Sequence, residues 1–166
     1  MMHFTSNADI IPSKSLGGIT LLEPVSKYWS SIVQCQPTRE KILYEMAGYH
    51  TVIYELTDYF IEFRVNMSSG LIYRISALPG YTGKFHNNIT IGMPMAKVHD
   101  MNLGFEYSDL TEDFSSPLFF GLLLEPDLDD PWPEELPHVK VERIVVFDRE
   151  YINKVNGSTG LSYMPW

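Results

Sequence analysis

Carboxylates are the most concentrated reactive groups in this sequence. Asp127, Asp129 and Asp130 fall within four residues, with Glu125 before them and Glu134 and Glu135 after. Clustered carboxylates suit a hard cation, acid–base work on a glycosidic bond, or the display of negative charge to a basic partner. A calcium loop needs a glycine at its sharp turn, and Pro131 follows Asp130 instead. No spacing selects two of the acids as a hydrolytic pair. Cys35 with His50 or His99 is a formal thiol–imidazole combination, but a lone cysteine at a helix end reads as a packed side chain. The histidines (His3, His50, His86, His99, His138) show no zinc-ligand spacing. Phosphate-loop, dinucleotide, zinc-protease and C-x-x-C signatures do not occur. No catalytic residue, no metal and no cofactor is therefore expected, and the carboxylates read as a surface.

The charge has a definite location. The chain of 166 residues carries 12 Lys+Arg against 21 Asp+Glu, a formal charge of −9. Eleven of the acids lie between Val98 and Val139, a stretch without any Lys or Arg. Asp109, Glu112 and Asp113 form one group there; Asp127, Asp129, Asp130, Glu134 and Glu135 form another, with Trp132 held between Pro131 and Pro133. A one-signed field steers a cationic partner and repels nucleic acid and anionic lipid. A tryptophan flanked by two prolines loses little entropy on contact, which suits an interface anchor. The partner-binding residues expected are thus Asp109, Glu112, Asp113, Asp127, Asp129, Asp130, Trp132, Glu134 and Glu135.

Such residues need elements to hold them. At 45% hydrophobic and 20% charged, with mean hydropathy −0.09, the composition is that of a folded domain. The N-terminus shows no basic start or apolar run, and with a single cysteine this predicts a cytoplasmic protein. An internal match stands out. Gly18–Tyr28 aligns without a gap on Asn88–Val98, with Ile19/Ile89, Thr20/Thr90, Pro24/Pro94 and Lys27/Lys97 identical. Each copy reads as a short strand, a turn and a helix opened by proline. Val25, Tyr28, Trp29 and Ile32 are expected to share one helix face, as are Met95, Val98 and Met101.

Period-two runs place strands at Thr51–Leu56, at 59–65 and at 71–77, the last two joined by the turn Met67–Gly70. Further strands are expected at Gly104–Tyr107, Leu118–Leu124 and Val139–Phe147, and the proline-rich stretch 125–137 reads as a loop outside any ladder. The expectation is an α+β fold in a single domain over 1–166. It has two repeated units, about 16–83 and 86–155, each a short helix packed on an antiparallel β-sheet, and a loose tail at 156–166. The first core should hold Val25, Trp29, Tyr59, Ile61, Phe63, Leu71, Tyr73 and Ile75. The second should hold Ile91, Val98, Leu122, Val141, Val145 and Phe147.

The segment Ile89-Thr90-Ile91-Gly92-Met93-Pro94-Met95-Ala96-Lys97-Val98 resembles the opening of the small α/β units of β-lactamase inhibitory proteins and small outer-membrane assembly lipoproteins. In the first copy Leu22 and Glu23 stand where that pattern has Gly-Met. This resemblance implies tandem units whose sheet presents a concave, enzyme-gripping face. Ile10–Ile19, Gly70–Ile75 and Gly80–Lys84 are similar to segments of small acidic bacterial immunity proteins from polymorphic-toxin and contact-dependent growth-inhibition systems. That resemblance implies a non-enzymatic inhibitor that binds and neutralises one cognate toxin domain. The acidic stretch fits a basic target, for which a nuclease is the expected case. An envelope-associated scaffold or protein-binding module and a small carboxylate-dependent enzyme are the alternative readings.

Overall fold

A computed structural model describes residues 4–35, 39–44, 50–86 and 88–158. Two short strands, β1 (Ser15–Leu16) and β2 (Ile19–Thr20), pair with each other. A 3-10 turn at Val25–Tyr28 then runs into α1 (Trp29–Cys35). Four strands follow: β3 (Arg39–Tyr44), β4 (His50–Leu56), β5 (Ile61–Asn66) and β6 (Ile72–Ala77). After α2 (Met95–Asp100) come β7 (Glu106–Ser108), β8 (Asp113–Ser115), β9 (Leu122–Pro126) and β10 (Val141–Phe147), then α3 (Arg149–Ser158). The eight strands β3 to β10 form one antiparallel sheet in the order β3-β4-β5-β6-β10-β9-β8-β7. The fold is α+β, as the sequence predicts.

Both proline-opened segments attach to the sheet through corresponding backbone bonds. The N–H of Leu22 donates to Ile72 and that of Ile72 to Glu23, while Gly92 donates to Val141 and Val141 to Met93. Val25 donates to Gly70, and Met95 to Val139. Leu22 (φ 61) and Gly92 (φ 81) take the left-handed conformation at the same place in each turn. Nothing lies within 4 Å of where a Cβ on Gly92 would sit, so backbone strain alone opposes a side chain there. Gly92→Ala should therefore lower unfolding free energy by about 1 kcal/mol, read from urea denaturation. An unchanged midpoint would show that this turn relaxes freely.

One face of the sheet carries the main core. Ile61, Phe63 and Val65 of β5, Ile72 and Ile75 of β6, Ile144 and Val146 of β10, and Leu122 and Leu124 of β9 are buried on it. Tyr28 and Ile32 reach it from the first helical segment, Met95 and Val98 from α2. Tyr28 is also pinned by polar bonds: its hydroxyl accepts from the Thr20 N–H (3.0 Å) and donates to Glu23.

Several core expectations need correction. Trp29 is 52% exposed. The 3-10 turn aligns Val25 with Tyr28, the α-helical turn aligns Tyr28 with Ile32, and Trp29 is thereby rotated about 100° away. Val25, Tyr59 and Ile91 are only partly buried, and Leu71 is half-buried outside the main cluster. Tyr73 and Phe147 pack on the other face with Ile152 of α3, and Val145 is buried on that face too. The cause is a bulge in each strand. In β6 pairing steps from Arg64↔Arg74 to Val65↔Ile72, so Tyr73 is an extra residue. In β10 the register shifts between Val141 and Arg143, which changes the phase of Val145 and Phe147 relative to Val141.

The strand limits differ as well. Gly121 (φ +72) breaks the apolar run at 118–124, leaving Leu118 and Phe120 exposed and delaying β9 to Leu122. Glu125 and Pro126 belong to β9, not to a loop; Pro126 pairs with Val141 at the strand end, where a missing N–H is tolerated. β3 and β8 are strands beyond those the sequence predicts, and β8 is three residues long, too short to display a period. Asn156–Ser158 lie in α3, and the rest of the expected tail lies outside the described residues.

Candidate functional site

In an antiparallel meander, connections after alternate strands fall at the same end of the sheet. The β7–β8 turn carries Asp109 and Glu112, and the β9–β10 connection carries Asp127 to Glu135, so both acidic groups lie at one end. A pocket of about 290 Å³ opens there, lined by Thr111, Glu112, Asp113, Glu125, Pro126, Asp129, Glu142 and Arg143. Glu112 and Asp113 come from the first acidic group and Asp129 from the second. Around Tyr107 the merger continues. Burial pushes its hydroxyl pKa upward, and the charges of Glu112, Asp130, Asp109 and Asp113 add to the rise.

The remaining expected residues have local roles. A carboxylate oxygen of Asp127 accepts from the Lys140 N–H (2.7 Å), which closes the β9–β10 connection. Glu135 accepts from the backbone N–H of Trp132 (2.8 Å) and fixes the turn that carries it. Glu134 is exposed, and Trp132 projects from this turn with 70% of its surface exposed, outside the pocket lining. Leu110 and Leu128, one in each acidic connection, are exposed as well.

The pocket floor joins a charged network on the face opposite the main core. Glu62 of β5 and Glu125 of β9 are separated by β6 and β10, where Ser76 pairs with Val145. Two arginines span that gap. Arg74 donates through Nη2 to Glu125, and Arg143 approaches both Glu62 and Glu125 at 3.7 Å. Arg64 also lies 3.7 Å from Glu62. Arg74 is 4% exposed, and burial lowers its pKa, helped by the like charge of Arg64 and opposed by Glu125 and Glu62. Charges held this dry depend on their partners, because desolvation costs several kcal/mol per ion.

Sequence reasoning missed Arg143, Glu142, Thr111 and the network behind them. A signal existed: Ile72-Tyr73-Arg74-Ile75 can be laid on Val141-Glu142-Arg143-Ile144, at an offset of 69 where the eleven-position repeat has 70. Other reactive groups are unfavourably placed. Burial and the charge of Asp58 raise the Cys35 thiol, the opposite of what a nucleophile needs. Among the described residues no group of three or more His, Cys, Asp or Glu side chains is placed to hold a metal ion. Nor, among them, is any helix long and apolar enough to cross a membrane. Compared with known protein families, curated proteins and solved structures, the chain matches none.

Proposed function

We propose that this protein is a non-enzymatic, immunity-type inhibitor that binds and neutralises a cognate bacterial toxin domain in the cytoplasm. One observation carries the reading: two separate acidic connections share one end of the sheet and line a common pocket. A negative surface of this kind covers a basic site, and a nuclease is the target whose Lys- and Arg-lined centre fits best. Rapid capture would come from the charge, and slow release from exposed apolar groups, with Trp132 foremost. The decisive test is to sequence the genes beside this one for a toxin-like domain and to co-express that domain with this protein. Growth should be rescued and a stoichiometric complex recovered; a neighbour whose toxicity is untouched by this protein refutes the proposal. Within the complex, Trp132→Ala should raise the dissociation rate by about 2 kcal/mol, roughly thirtyfold, with little change in association. An unchanged rate would remove Trp132 from the interface.

We further infer that the sheet is built from two copies of one unit. The matched backbone bonds at 22/92 and 25/95 support this, and so do the bulges, Tyr73 in β6 and Glu142 in β10. Arg74 and Arg143 follow these bulges at equivalent positions. With β6 and β10 set in correspondence in this way, Ser76 matches Val145, and these two residues pair with each other. A local two-fold axis through that pair relates one unit to the other. Four-strand meanders joined last strand to last strand then give the observed order.

A further inference from the structure

The acidic end contains one carboxyl that a purely exposed binding surface would not require. Asp113 opens β8 and is only 5% exposed. Its own hairpin brings Thr111 and Glu112 to it, with Asp109 in the turn. Glu125 faces it from β9, Glu142 and Arg143 from β10, Asp129 from the β9–β10 connection and Arg74 from β6. Tyr107 stands on the partner strand of the hairpin, and its hydroxyl feels the Asp113 charge. The cations among these described groups are Arg74 and Arg143, and both already serve Glu125, Arg143 serving Glu62 as well. An ionised Asp113 thus joins a partly closed pocket in which carboxylates outnumber guanidinium groups. The strand bearing it is three residues long, and the β7–β8 hairpin forms the sheet edge, the cheapest part of the sheet to open.

We propose that Asp113 is a proton-operated latch on the β7–β8 hairpin: as a neutral acid it lets β8 close on β9, and as a carboxylate it loosens the edge and opens the acidic pocket. Burial supports this by raising the group from 3.8 to about 6, with Glu125 adding to the rise while Thr111 and Arg74 oppose it. The folded protein therefore binds this proton more tightly than the unfolded chain. Between those two values the native state holds more protons, so stability falls as pH rises through that window and is lowest above it. The latch is a property of the chain alone and stands or falls independently of any toxin partner.

The test compares wild type with Asp113→Asn. At pH 7 the variant should melt roughly 3 to 8 °C higher, and its advantage should shrink steadily as pH is lowered to 4.5. Amide exchange at pH 7 should slow at least tenfold more in Glu106–Ser108 and Asp113–Ser115 than in β5 and β6. In wild type, the Asp113 carboxyl carbon should titrate in NMR spectra with a midpoint between pH 5 and 7. A midpoint below 4.5, a variant no more stable than wild type at pH 7, or a gain in protection spread evenly over the sheet would each overturn the latch. The wild-type titration keeps the test decisive if the variant does not fold.

Discussion

Glu125→Gln should cost about 3 kcal/mol of unfolding free energy, the largest loss expected from a single charge in this protein. Glu125 neutralises Arg74, whose guanidinium lies almost wholly out of water. Removing one member of such a pair leaves an uncompensated buried ion, and that penalty exceeds the net worth of the intact pair. The same substitution weakens the hold on Arg143, which has only longer contacts to Glu62 and Glu125. Replacing both partners, as in Arg74→Met with Glu125→Leu, should recover most of the loss because neither charge then remains. Urea denaturation of the single and double variants measures this directly. A single variant within 0.5 kcal/mol of wild type would mean that water reaches Arg74 readily. The network's contribution therefore lies in fixing the β6–β10 seam, where Arg74 and Glu125 reach across from opposite sides.

The second large effect concerns encounter. If the proposed basic toxin domain is the partner, reversing Asp129, Asp130 and Glu134 to lysine should slow association with it by on the order of 100-fold at low salt. All three are exposed, so circular dichroism and melting temperature should barely change. Added salt should bring wild type and variant together, since screening erases a long-range field within about 10 Å at 0.1 M. An association rate unaffected at low ionic strength would reduce the acidic stretch to a solubility device. Stopped-flow measurements over a salt series separate this effect from any change in release caused by Trp132→Ala.

Much of the architecture is local and was legible for that reason. Proline ahead of the helical turns at Val25 and Met95, the Met67–Gly70 turn and the alternation of Ile61, Phe63 and Val65 are decided within a few residues. The acidic character of 98–139 is likewise a property of composition, and the antiparallel order of short strands was enough to bring its two groups to one end. Trp29 shows where local reading fails: a change from 3-10 to α-helical winding, invisible in residue types, turned it outward. Tyr73 shows the same for strands, because a single inserted residue reverses every later side chain.

The sequence by itself thus determined the α+β class, the internal match of Gly18–Tyr28 with Asn88–Val98, and a concentration of negative charge around one tryptophan. Tertiary structure alone decided that Arg74 would reach Glu125, that Arg143 would lie between Glu62 and Glu125, and that Asp113 would be buried among like charges. The Arg74–Glu125 and Arg143–Glu62 contacts join residues more than 50 positions apart. They depend on strand order and register, which arise when the apolar faces of all eight strands are buried together, and no short stretch of residues encodes that.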